Sequence, residues 1–263
     1  MTDKLQKAGE TGVALPYDYS EFKGQGPNIT MDDLKVPFIS LIQEDSKVRF
    51  EDEEKYVPGS EAGDMLNSAT KELIKQGETL LLVPAVLRTT MIEYLPDRGG
   101  YVGEHEMNSQ VAIRGIANGN TNPENGNDLV KTKTLFAIRV DADLNPIGFV
   151  VVGFSASKLG PWSDYWTKID TCKATKDLPE FLHLVSLSTK DVKNTKGQRY
   201  KNYQMIPARN EAGELTLDPR EASILHSMID PNGAACVAAQ EFRKQVLAGK
   251  RVADREQDEV TNF

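Results

Sequence analysis

Cysteine is scarce in this chain: Cys172 and Cys236 are the only two among 263 residues. Two thiols in a chain this long do not make the disulfide framework of a secreted scaffold, which predicts a reducing compartment. Long hydrophobic runs are missing too. The longest apolar stretch, Leu80 to Leu87, is far short of the roughly 20 residues that a bilayer-spanning helix needs. The opening residues, MTDKLQKAGETG, hold no apolar signal core, so a cytoplasmic protein is expected.

Catalytic signatures are just as sparse. The three histidines (His105, His183, His226) and two cysteines show no C-x-x-C or H-x-x-x-H spacing for zinc. Glu104-His105-Glu106 is a lone histidine between acids, more typical of a surface than of a metal site. No G-x-x-x-x-G-K-[ST] phosphate loop and no G-x-S-x-G elbow occurs. No cofactor, metal or catalytic set is therefore assigned, and the chain is read as a binder and not an enzyme.

Positive charge is also short overall, with a net charge of −8, but it is unevenly spread. Residues 156–209 carry ten Lys/Arg against five Asp/Glu, a net +5, while the segments on either side are acidic. A polyanion responds to local field more than to total charge. The basic segment also holds both tryptophans. Ser157 to Lys176 contains Lys158, Trp162, Tyr165, Trp166, Lys168 and Lys173; further on come Lys190, Lys193, Lys196, Arg199, Tyr200, Lys201 and Tyr203. Cations spaced for phosphates and flat rings for bases are what single-stranded nucleic acid requires. Two readings stay open for Trp162 and Trp166, which share a helical face at i, i+4: core anchors, or stacking platforms. In a strand, Arg199, Lys201 and Tyr203 point one way while Tyr200 and Asn202 point the other.

Element by element, residues 1–30 read as a flexible arm, 31–249 as a single β-barrel-centred domain, and 250–263 as an acidic tail. Pro37 favours extended structure over Met31 to Gln43, and Glu51 to Glu54 form a solvated loop. Thr79 to Tyr94 is rich in aliphatic and β-branched residues, with Pro84 marking a bend or an edge. Asp97 to Gly100 is a turn into Tyr101-Val102-Gly103. Residues 115–128 (GIANGNTNPENGND) are expected to be an exposed, mobile loop. Thr132 to Val140 and Ile147 to Phe154 form a hairpin. A helix starts at Ser155 or Ser157 and runs to about Cys172. Leu182 to Leu187 and Tyr200 to Pro207 pair as strands around a basic loop, Lys190 to Gln198. Asp218-Pro219 opens a helix that Asp230 to Gly233 interrupts and Ala234 to Ala248 resumes. The class predicted is α+β: an OB-like β-barrel core with added helices and a long C-terminal helical region.

The chain ends with Asp254, Glu256, Asp258 and Glu259 against Arg255, and closes on Phe263. Such a tail suits a peptide ligand, with Phe263 in an apolar pocket and the acids steering it to a basic rim. A frayed helix end docking on its own helix is the other reading. The tail ADREQDEVTNF resembles that of bacterial and bacteriophage single-stranded DNA-binding proteins, which join an oligonucleotide/oligosaccharide-binding barrel to an acidic tail ending in Phe, though it is less acidic. The stretches GGYVGEH and GFSASKLGPWSDYWTKI look like bacteriophage proteins of replication modules. The resemblance implies sequence-tolerant binding of single-stranded DNA in the host cytoplasm. It also implies recruitment of replication, recombination or transcription proteins through the tail. The rival class is a phage structural or transcription-regulatory protein acting through protein–protein contacts.

Overall fold

The strand expected over Thr79–Tyr94 is the axis of the fold. A computed structural model of the protein, describing residues 36–173, 175–208, 224 and 227–248, shows it as β4 (Leu80–Tyr94), the longest strand at 15 residues. The others are β1 (Phe38–Leu41), β2 (Met65–Asn67), β3 (Leu73–Ile74), β5 (Tyr101–Glu106), β6 (Asp128–Val140), β7 (Pro146–Ser155), β8 (Val185–Lys193) and β9 (Arg199–Pro207). They form one sheet in the order β3-β2-β1-β7-β6-β4-β8-β9, with β5 added along the far end of β4. All pairings are antiparallel except β1 with β7. The N-terminal arm, the helix start at Asp218-Pro219 and the acidic tail lie outside the described residues.

Pro84 sits at a β-bulge against β6, between Pro84 and Val86. The bulge keeps facing consistent: Leu80 and Leu82 before it and Leu87 after it all meet the same core. On its other side β4 has no strand neighbour between Leu82, where β8 stops, and Thr90, where β5 begins. Proline, which has no N–H to donate, is tolerated there. The gap is filled from the C-terminal helix, where Arg243 donates to the Ala85 carbonyl (2.9 Å) and pairs with Glu180. The predicted bend or edge at Pro84 is thus both.

The sheet curls into a half-barrel whose two edges approach each other without a main-chain ladder. The Gln43 amide donates to the Lys201 carbonyl (3.0 Å) and accepts from the Lys201 N–H (3.2 Å), so one side chain stands in for a strand partner. Tyr203 Oη donates to the Ile39 carbonyl at 3.0 Å, and Thr189 Oγ1 to that of Gly63 at 2.6 Å. Three α-helices with described bounds complete a mixed α+β fold. Helix α1 (Gln110–Ala117) and α2 (Leu159–Thr171) cover the concave face; α3 (Ala234–Leu247) packs Phe242 against Phe136 and Phe149 on the opposite face. Among the described residues no helix is long and apolar enough to cross a membrane.

Two expectations need correction. Neither Ser155 nor Ser157 caps α2; a 3-10 turn over Ala156–Lys158 intervenes and the helix begins at Leu159. The segment 115–128 is not an open loop. Its first residues complete α1, whose N-terminus is capped by Ser109 Oγ accepting from the Ala112 N–H. Gly115 lets this helix approach β6, because a Cβ there would lie 2.0 Å from Leu129 Cδ1. Residues 118–127 then fold over the sheet. The long C-terminal helical region is represented among the described residues by the 14-residue α3.

Candidate nucleic-acid interface

The expected strand pair around a basic loop is the β8–β9 hairpin, and its strands run further than the sequence suggests. Lys190 and Lys193 belong to β8, Arg199 to β9, leaving 194–198 as the loop. Asn194 ties this loop together: its Oδ1 accepts from the Lys196 and Gln198 N–H groups, and Gly197 turns with φ +86°. The root of the hairpin is core, with Thr189 opposite Tyr203 and Leu187 opposite Met205. Beyond that root the pairs are Lys190 with Asn202, Asp191 with Lys201, Val192 with Tyr200 and Lys193 with Arg199.

Lys190, Lys193, Lys196 and Arg199 are exposed and make no ion pair with any described residue. Lys201 is half-buried and held at 2.7 Å by Asp191 and 3.0 Å by Gln76. The Lys201 hydrogen bond in turn lowers the Asp191 pKa. Lys193 and Arg199 face each other in register, and like charges directly opposite on a sheet are destabilising.

The aromatic residues sort differently. Trp162 (4% exposed), Tyr165 and Tyr203 (1%) lie in the core with Ile169, the i, i+3, i+7 stripe of α2. Phe154 sits between Trp162 and Tyr203, with ring centroids at 5.0 and 5.3 Å. Lys158 is buried, its ammonium 5.5 Å from the Tyr203 ring centroid. In this conformation the rings of Trp162, Tyr165 and Tyr203 are covered, because the face that carries Arg199 and Lys201 at the tip becomes the core face at the root. Burial pushes the Tyr165 phenol well above its usual range. Trp166 and Tyr200 are half-buried, and Lys168 and Lys173 are exposed. Asp254, Glu256, Asp258, Glu259 and Phe263 lie outside the described residues.

Two groups escaped the sequence reading. Lys131 and Lys133 alternate on the concave face of β6, and Lys133 Nζ stands 5.7 Å from the Trp162 ring centroid. Their signal was the K-T-K alternation inside a strand, hidden by averaging charge over a longer segment. The second is Glu93, 4% exposed on the concave face of β4. Its Oε1 accepts from the side-chain amides of Asn122 (2.9 Å), Asn125 (2.7 Å) and Asn127 (2.8 Å), and its Oε2 lies 2.6 Å from His105 Nε2. Burial alone would raise the Glu93 pKa; hydrogen bonds from Asn125, His105, Asn127 and Asn122 outweigh it and lower it to about 2. His105 thus turns away from Glu104 and Glu106, and Glu106 pairs instead with Arg88 at 2.7 Å. The Asn-rich loop is pinned by one acid in the apolar run MIEY.

Fold and charge together define a mixed α+β protein on a curled half-barrel sheet, with an exposed basic hairpin at its edge. The family model of the Pam3 phage gp34-like protein matches residues 6–214, and the chain belongs to this bacteriophage family. No curated protein and no solved structure matches the chain.

Proposed function

We propose that this protein binds single-stranded DNA, without catalysis and with little sequence preference, in phage replication or recombination. The observation that carries the reading is the β8–β9 hairpin, where Lys190, Lys193, Lys196 and Arg199 are exposed, Lys193 and Arg199 stand opposite each other, and the one nearby acid, Asp191, is held by Lys201 and only more distantly attracts Arg199. The facing pair Lys193 and Arg199 costs the isolated fold stability. A phosphate backbone lying along the hairpin relieves the repulsion, and the acidic remainder of the chain keeps DNA away from other faces. Tyr200 and Trp166 are the rings with exposed area left for base stacking, alongside Lys168 and Lys173.

The triple variant Lys193→Ala, Lys196→Ala, Arg199→Ala tests this. Affinity for oligo(dT) should fall roughly 10- to 100-fold at low salt. The slope of log affinity against log salt should shrink by about 2, or about 0.7 per lost contact. The melting temperature should hold or rise. Wild-type affinity and slope in the triple variant would remove the hairpin from the interface.

The acidic tail (Asp254, Glu256, Asp258, Glu259, Phe263) is assigned to recruitment of replication, recombination or transcription proteins. Phe263→Ala should leave DNA affinity unchanged and abolish capture of those partners; equal pull-downs from both forms would make the terminal ring incidental.

A further inference from the structure

We infer that Lys131 and Lys133 form a second contact for the DNA strand, taking two neighbouring phosphates on the concave face beside the Trp162–Trp166 pair. The inference rests on the single-strand reading above. Residues two apart on a strand share a face and stand about 6.8 Å apart, commensurate with adjacent phosphates of an extended single strand. Neither lysine has an ion pair among the described residues. Their cross-strand neighbours on β4 are neutral, Met91 for Lys131 and Thr89 for Lys133; on β7, Phe154 lies opposite Lys133. The nearest acid along that face is Glu93, opposite Leu129, and its carboxylate is already held by four side chains.

Among the described residues, α1 and α2 leave this strip uncovered. Met91 and Leu129 lie under α1, and Leu135 and Leu87 belong to the cluster that α2 covers. Lys131, exposed, and Lys133, half-buried, lie between those footprints. Burial, and then the neighbouring Lys131, lower the Lys133 pKa, so an anion that approaches meets a cation whose charge is poorly solvated. The strip is also tied to the hairpin. Lys133 lies over Trp162, Trp162 packs on Phe154 and Phe154 on Tyr203 of β9, while the neighbouring Asn202 donates to the Ser157 carbonyl at 3.1 Å. One strand can therefore contact both places against a rigid spacer.

The chain's only tryptophans adjoin Lys133, with Trp162 and Trp166 centroids 5.8 Å apart, so intrinsic fluorescence reports on this strip. With full-length protein and oligo(dT), wild type should show a tryptophan fluorescence change on saturation. Lys131→Ala with Lys133→Ala should abolish that change and reduce the salt slope by about 1.4. Its melting temperature should change little, since the variant removes both a repulsion and the contact of Lys133 with the Trp162 ring. Lys133→Arg should keep the full slope, and Lys193→Ala with Arg199→Ala should keep the fluorescence change at saturation. Wild-type binding with the same slope and fluorescence in the Lys131/Lys133 double variant overturns this inference alone. Failure of the wild type to bind overturns it together with the reading on which it rests.

Discussion

Glu93→Ala is expected to destabilise the protein by about 3–5 kcal/mol at neutral pH and to open the 118–127 loop to hydrogen exchange. The substitution leaves the buried amides of Asn122 and Asn127 without an acceptor, at about 1–3 kcal/mol each. It also removes buried side-chain volume. Asn125 is exposed and can turn to water. The same carboxylate sets an acid limb. Its folded pKa of about 2 lies below its ordinary value of 4.5, so its stabilisation is present above pH 4.5 and is lost as pH falls from 4.5 towards 2. The contribution is about 3 kcal/mol. In urea titrations at pH 7 and pH 3, Glu93→Gln should start less stable and lose correspondingly less on acidification. An acid limb of equal size in both proteins would show that Glu93 is not the group responsible.

Tyr203→Ala should cost about 3–5 kcal/mol, enough to lower the melting temperature by roughly 10–15 °C. The ring is enclosed by Phe154 and Lys158, and its hydroxyl ties β9 to β1 across the curl of the sheet through the Ile39 carbonyl. Tyr203→Phe isolates the bridge and should cost about 1 kcal/mol while leaving DNA affinity at the wild-type level. The sequence reading placed Tyr203 among the rings for base stacking, whereas its 1% exposure makes it a core residue here. An unchanged melting temperature with lost oligonucleotide binding would return the ring to the interface.

How far the sequence could be read depended on whether a residue's partners were local. The β6–β7 and β8–β9 hairpins were legible because alternation and turn residues lie within the segments that pair. Pro84 signalled a bend or an edge through its own missing N–H, and the β-bulge against β6 lies there. Helix α1 was not legible: it is eight residues long, ends in Gly- and Asn-rich sequence, and depends on Gly115 fitting against Leu129 across a chain reversal. The pinned loop depends on Glu93, about 30 residues away in sequence. Aromatic residues beside lysines suggested a binding face, yet the i, i+3, i+7 pattern of Trp162, Tyr165 and Ile169 was equally the signature of a core stripe. What decided between them was the curl of the sheet, which brings β9 to β1 and buries Tyr203. The hairpin cations Lys193, Lys196 and Arg199 are exposed, and no described residue distant in sequence covers them, although Lys193 lies in β8 and not in the loop expected from sequence.

The central claim is most directly tested by fluorescence anisotropy of labelled oligo(dT) with unlabelled single strand, duplex and RNA as competitors, repeated across a salt series. Single-stranded DNA should compete best. Affinity should drop roughly 50-fold between about 50 and 200 mM salt if Lys190, Lys193, Lys196 and Arg199 each neutralise a phosphate. Absence of binding at low salt, or duplex competing as well as single strand, would contradict it and favour a phage protein that acts through protein–protein contacts.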